Sequence, residues 1–219
     1  MHAAGPQVLA TVLTIETTLQ PSKKKVVHSI TIANNRARSG EELDEWRLFD
    51  LKANTVTYVN EIARTVRTEN VVDLMKKHRA ALDAALPSYV PRAQVTSSDE
   101  TVVIKAGAYM RTMKFAQDPR IPAQLFAIMV ASDPSFSPYA PMMKSVDEVL
   151  MNTRGFPMTD HAELALDDSK MVVDRNVVKV EQKNVDAGWL EVPKGFAAPA
   201  ATSPHNALPQ KEWRFFWRR

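Results

Sequence analysis

A chain of 219 residues with 45% apolar and 24% charged residues has the length and make-up of one globular domain with a tail. Its formal net charge of +3 is too small to point to nucleic acid. The chain has no cysteine, which excludes disulfides, thiol catalysis and Cys-ligated zinc or iron–sulfur sites, and no apolar run reaches the roughly 18 residues that span a bilayer.

Met1-His2-Ala3-Ala4-Gly5-Pro6 carries no hydrophobic signal core, which fits either a cytoplasmic protein or one whose signal peptide has been removed, and residues 1–7 read as an N-terminal extension. Val8–Thr18 is rich in β-branched residues and predicts a strand. After the polar turn Gln20–Lys25, Val26, His28, Ile30 and Ile32 share one face of a second strand. Arg36–Ser39 begins a third. Glu45–Asp50 and Thr55–Asn60 flank the turn Lys52-Ala53-Asn54, and Ile62–Arg67 predicts a further short strand.

Asn70 is placed to cap a helix, with Asp73 at its positive end. Val71, Leu74, Met75, His78, Leu82, Ala85 and Leu86 then recur at helical spacing until Pro87 stops the pattern. Ala93–Thr96, Thr101–Ala106, Ala108–Phe115 and Leu125–Ala131 predict strands. Pro141 suits the first turn of a second helix with Met142, Met143, Val146, Val149 and Leu150 on one face. Past Gly155, Ala162, Leu164 and Leu166 alternate with His161, Glu163 and Ala165. Ser169–Gln182 is long enough to predict a bulge near Arg175-Asn176, and Leu190–Val192 predicts the last strand. Residues 197–210, rich in Ala and Pro, read as a linker.

Three short matches carry a resemblance: Trp46–Leu51 with Thr55–Val59, Gly155-Phe156-Pro157-Met158, and Val192-Pro193-Lys194-Gly195-Phe196. In this order the chain resembles the LolA-like family of bacterial periplasmic half-barrels, which includes lipoprotein carriers and uncharacterised relatives. The likeness covers residues 8–196. It implies an α+β fold, a strongly curved antiparallel sheet open as a half-barrel, with two helices covering the concave face. It also implies a periplasmic, non-catalytic protein whose signal peptide has been removed, holding a lipid or acylated segment in that face.

No phosphate loop, dinucleotide fingerprint or nucleophile elbow occurs. No cofactor is expected. Asp160-His161 with Glu163 is the best acid–base cluster, but on a strand Asp160 faces away from the other two, and a solvated polar face is the simpler reading. Methionine is concentrated between Met110 and Met171, and thioethers adapt to flexible acyl chains as readily as they fill a core. Met110, Met113, Phe126, Met129, Met142 and Val146 are the candidate lining of an apolar groove that holds the ligand; a solidly filled core would sink that reading. The residues 211–219 form a basic aromatic tail. There Trp213, Phe215, Phe216 and Trp217 alternate with Arg214, Arg218 and Arg219, a composition that docks on a partner protein or an anionic membrane surface, or else packs on the protein's own sheet edge or groove. The expected partners are therefore a lipid or acylated protein in the groove and a protein or membrane at the tail. The alternative function is an accessory subunit of a membrane-associated complex, docked through that tail.

Overall fold

A computed structural model describes residues 5–40, 45–84, 92–115, 117–132, 144–153, 155–166 and 169–198. Among them, eleven strands form one antiparallel sheet that does not close, and three α-helices accompany it. The strands are β1 (Gln7–Gln20), β2 (Lys24–Ala33), β3 (Arg36–Ser39), β4 (Glu45–Asp50), β5 (Thr55–Asn60), β6 (Thr65–Asn70), β7 (Gln94–Ser97), β8 (Thr101–Ala106), β9 (Tyr109–Phe115), β10 (Pro157–Leu166) and β11 (Ser169–Asp186). The helices are α1 (Val71–Ala84), α2 (Leu125–Ser132) and α3 (Lys144–Asn152). The spatial order is β6-β5-β4-β3-β2-β1-β11-β10-β9-β8-β7, so the first and last strands pair at the centre and β6 and β7 are the edges.

Alternation divides each strand between two faces. Leu13, Ile15, Ile30, Ile32, Phe49, Val56, Ile104 and Met113 turn to one face, where they form a single core with residues of all three helices. This is the inner face. The opposite, outer face carries a smaller cluster around Ala10, Ala33, Trp46, Leu48 and Val59. Asn34 and Asn35, both at positive φ, make the two-residue β2–β3 turn, a conformation Asn tolerates better than other non-glycine residues.

The α1 start follows the sequence reading: the Asn70 side chain accepts a hydrogen bond from the Val72 amide at 2.9 Å, and Val71, Leu74 and Met75 pack toward the core. Four other expectations are corrected. Leu125–Ala131 is helical rather than extended. Every residue of α2 is buried, so its apolar run has no polar face to set a period, and Ile128 and Val130 imitate a buried strand. The short strand expected at Ile62–Arg67 lies three residues later, because Asn60 accepts a bond from the Ala63 amide and holds 61–64 in a turn. The bulge falls at Val178, which has no partner between Lys179↔Thr14 and Val177↔Ile15. Leu190–Val192 is not a strand; Asp186 caps a 3₁₀ turn at Ala187–Leu190 by accepting the Gly188 amide at 2.8 Å.

The described chain closes with a strap on the outer face. Arg36 and Arg38 of β3 donate to the carbonyls of Leu190 and Trp189 at 3.2 and 3.1 Å. Arg38 is stacked between the rings of Trp46 and Trp189, 3.8 and 3.6 Å from their centres. Ala197 then bridges β6 in parallel, accepting the Val66 amide at 2.9 Å and donating to Arg64 at 3.1 Å. Ala197 is thus tied to the sheet and is not linker. At the other end, Gly5 donates to Asp186 and Pro6 accepts the Ala187 amide, so the expected extension is joined to the sheet from Gly5 onward.

Candidate functional site

The inner face presents two features: a large cleft beside β7 and a buried ionic cluster behind it. Phe156 separates them, since it lines both the cleft and a cavity of about 10 Å³ next to Asp160 and Arg175.

The cleft has a volume of about 1250 Å³. Its described walls come from β7, β8, the end of β9, the loop 117–123 and α3. Val95, Val102, Phe115, Ile121, Val149 and Phe156 supply apolar surface; Asp99, Glu100, Gln117, Asp118, Glu148 and Asn152 supply polar groups. The loop is shaped by Asp118, whose side chain accepts the Arg120 amide and binds its guanidinium. Hydrogen bonding from Arg120 holds the Asp118 carboxyl below the usual range despite some burial. Gly155 donates to Ala123 at 2.8 Å and joins the loop to the start of β10. It sits at φ +96, and a Cβ there would meet the Phe115 ring at 3.3 Å, so this wall requires glycine.

Behind Phe156, Arg111 of β9 and Asp160 of β10 form a bidentate pair, with both bonds at 2.7 Å and both side chains almost wholly buried. Arg175 of β11 adds a bond to Asp160 at 3.1 Å. Burial opposes the charge on Asp160, but the two guanidinium groups outweigh it and hold its carboxyl below the usual range. Burial likewise opposes the charge on Arg111, and the Asp160 carboxylate reverses that effect. Tyr109 lies beside this cluster; burial pushes its hydroxyl up to about 12, and no bond of good geometry joins that hydroxyl to a described residue. Phe126 of α2 covers the Arg111 guanidinium at 5.8 Å and meets Phe156 edge to face at 6.0 Å.

His161, next in sequence to Asp160, is on the outer face. Its Nδ1 is 2.6 Å from Asp174 and its Nε2 is 3.4 Å from Glu163, which also pairs with Lys170. The bond to Asp174 leads the effects that raise the His161 pKa above its ordinary value; partial burial opposes them and Glu163 adds to them. His161 and Glu163 share the outer face as their two-residue spacing predicts, Asp160 lies on the other face, and both ring nitrogens of His161 meet carboxylates. Among the described residues no His, Asp and Glu group is arranged to hold a metal ion.

Of the residues read as groove lining, Met113, Phe126, Met129 and Val146 are fully buried and fill the core. Met110 is half-buried and alternation puts it on the face opposite Met113. Met142 lies outside the described residues, as do the tail residues Trp213, Arg214, Phe215, Phe216, Trp217, Arg218 and Arg219. The open space is instead lined by Val95, Val102, Phe115, Ile121, Val149 and Phe156. Of these, Phe156 belongs to the Gly155–Met158 motif and Val149 to the apolar face of the predicted second helix. Apart from Phe156 they come from five separate segments, β7, β8, β9, the loop 117–123 and α3, and nothing in their spacing announces that they meet. No known family model and no curated protein matches the chain.

Proposed function

We propose that this protein is a non-catalytic, periplasmic binding protein that holds an apolar ligand, such as a lipid chain or an acylated segment, in a half-barrel. The inner face would be the concave one, with the helices across it. The observation that carries the reading is the cleft of about 1250 Å³ with Val102, Phe115, Val149 and Phe156 in its walls. Binding clefts of roughly 300–1,000 Å³ with mostly apolar walls and a few polar groups are the usual form for small ligands. Each methylene taken from water contributes about 0.8 kcal/mol, so ten of them contribute about 8 kcal/mol before the cost of association. The ligand position differs from the groove expected at Met113, Phe126, Met129 and Val146, where a ligand would have to displace packed side chains.

Titration of lipid-stripped, full-length protein with a fluorescent polyene fatty acid tests this. Saturable binding is expected, weakened tenfold or more by Val149→Trp, which fills the cleft, and unchanged by Val178→Trp on the bulge. Absence of saturable binding, or equal binding by both variants, overturns the reading.

The filled core favours one second reading, a scaffold subunit of a membrane-associated complex that docks through residues 211–219. Release of the protein from the membrane fraction on replacing Trp213, Phe215, Phe216 and Trp217 by Ser would support it; unchanged association would remove it.

A further inference from the structure

We propose that this protein associates with a second copy of itself through the free edge of β7, so that the two sheets join into one about a two-fold axis. The inference does not depend on the cleft's holding a ligand.

The first observation is an unprotected edge. Ser98 and Thr101 exchange hydrogen bonds of 2.8 and 3.4 Å at the β7–β8 turn, so alternation along the ladder directs the backbone N–H and C=O of Val95 and Ser97 away from β8. Every residue of β7 is exposed, and Gln94-Val95-Thr96-Ser97 has neither charge nor proline to discourage pairing. The opposite edge, β6, is partly occupied, because Ala197 bridges to Thr65 and accepts the Val66 amide. Among the described residues no strand pairs with β7 on its far side from β8.

The second is the register that symmetry selects. A two-fold axis normal to the sheet relates antiparallel neighbours, and hydrogen-bonded pairs form where outward-bonding residues face one another. Within β7 the axis can therefore pass Val95, Thr96 or Ser97. With the axis at Thr96, Val95 of each copy bonds Ser97 of the other, and both outward residues of both strands are satisfied. An axis at Val95 sets Ser97 opposite Ala93, and an axis at Ser97 sets Val95 opposite Asp99, each beyond the partner strand. The Thr96 register also places Thr96 against its own copy in a close, non-hydrogen-bonded pair, a favourable partnership across strands.

The third is charge. Arg92, Asp99 and Glu100 flank β7 and are exposed. Continued past the strand ends, the Thr96 register sets Arg92 opposite Glu100 of the second copy, and the symmetry repeats the pair. An axis at Val95 sets Arg92 opposite Ser98, and one at Ser97 sets Gln94 opposite Glu100, so neither matches opposite charges. The register with the fullest backbone bonding is thus also the complementary one.

The axis keeps the inner faces of both copies on one side. Arg92, Val95, Ser98, Asp99 and Glu100 line the cleft as well as the proposed contact, so the two clefts lie side by side across the axis. Residues 92–100 are few beside the roughly 20–30 a side of a standard interface, which puts the dimer in the weak class, with Kd of about 10–100 μM.

Sedimentation velocity of the full-length protein from about 5 to 500 μM brackets that range. Dimer is expected to grow with concentration, to be weakened about tenfold or more by Arg92→Glu and by Glu100→Arg, and to recover in the double variant. A change that merely disturbed the fold would not be reversed by the second. In parallel, Thr96→Cys sets two sulfurs across the axis, where Cα atoms about 4.5 Å apart suit a disulfide, and the chain has no cysteine to interfere. Mild oxidation is expected to give linked dimer at several times the yield of Val178→Cys. A parent that stays monomeric at the top of the range overturns the proposal and leaves the edge to an extended segment of another protein. A dimer unchanged by either charge reversal overturns it by placing the contact elsewhere, as does a Thr96→Cys yield no higher than the control. No ligand is added, so this result and the fatty-acid titration fail or succeed separately.

Discussion

Asp160 and His161 are adjacent in the chain and serve opposite faces of the sheet. Asp160 is buried beneath the guanidinium groups of Arg111 and Arg175, and His161 is half-exposed between Asp174 and Glu163. One peptide bond therefore separates a structural anion from a titrating cation.

Asp160→Asn leaves Arg111 buried without its charge partner. Breaking a buried pair from one side costs about 3–5 kcal/mol. The unfolding midpoint in urea should fall accordingly. The folded pKa of Asp160 is depressed, so its contribution is present above the unfolded value of about 3.9 and is lost as pH falls through the folded value. Unfolding measured from pH 5 to pH 2 should show an acid loss in the parent that is smaller in the variant; equal losses would remove this role.

His161 has the opposite sign. Its folded pKa is raised, so its stabilising effect is complete below the unfolded value of about 6.5 and fades as pH rises through the folded value. Proton NMR should place the titration of His161 above 6.5, and Asp174→Asn should bring it back toward that figure. An unchanged midpoint in the variant would mean that Asp174 is not the main partner.

Gly155→Ala puts a side chain at φ +96 and against Phe115. A non-glycine residue in such a conformation costs about 1–3 kcal/mol. The expected result is a lower urea midpoint with an unchanged slope, together with weaker fatty-acid binding, because Gly155 and Phe115 both border the cleft. Full stability in this variant would show that the loop shifts without cost.

Trp189→Ala removes one of the two rings that enclose Arg38. A cation–π contact of this kind contributes about 0.5–2 kcal/mol. The loss should appear locally, as faster hydrogen exchange at the Val66 amide, which donates to Ala197 in the strap. Unaltered exchange at Val66 would mean that the strap's bridge to β6 holds independently of the stack.

Glu45–Asp50 and Thr55–Asn60 were placed to the residue because a polar turn bounds each, whereas the next strand was read three residues early, since Asn60 holds 61–64 in a turn. The helix α2 was not, because a segment buried on every side loses the polar face that would reveal its period. Of the cleft, Phe156 stood in a quoted motif and Val149 on the apolar face of a predicted helix. Val95, Phe115 and Ile121 are unremarkable where they stand, and their meeting depends on how β7–β9 and α3 pack. The ionic cluster was half-visible: alternation separated Asp160 from His161, but its pairing with Arg111, 49 residues earlier, is a matter of register between β9 and β10.

The central ladder joins Gln7–Gln20 to residues at the far end of the described chain, up to Asp186. During synthesis β1 can gain β2 on one side early, yet its other side waits until β11 has been made. Until then a nascent chain carries a 14-residue strand with an open edge in the middle of its future sheet. A holding factor acting before residue 186 has emerged would protect that edge while it is open.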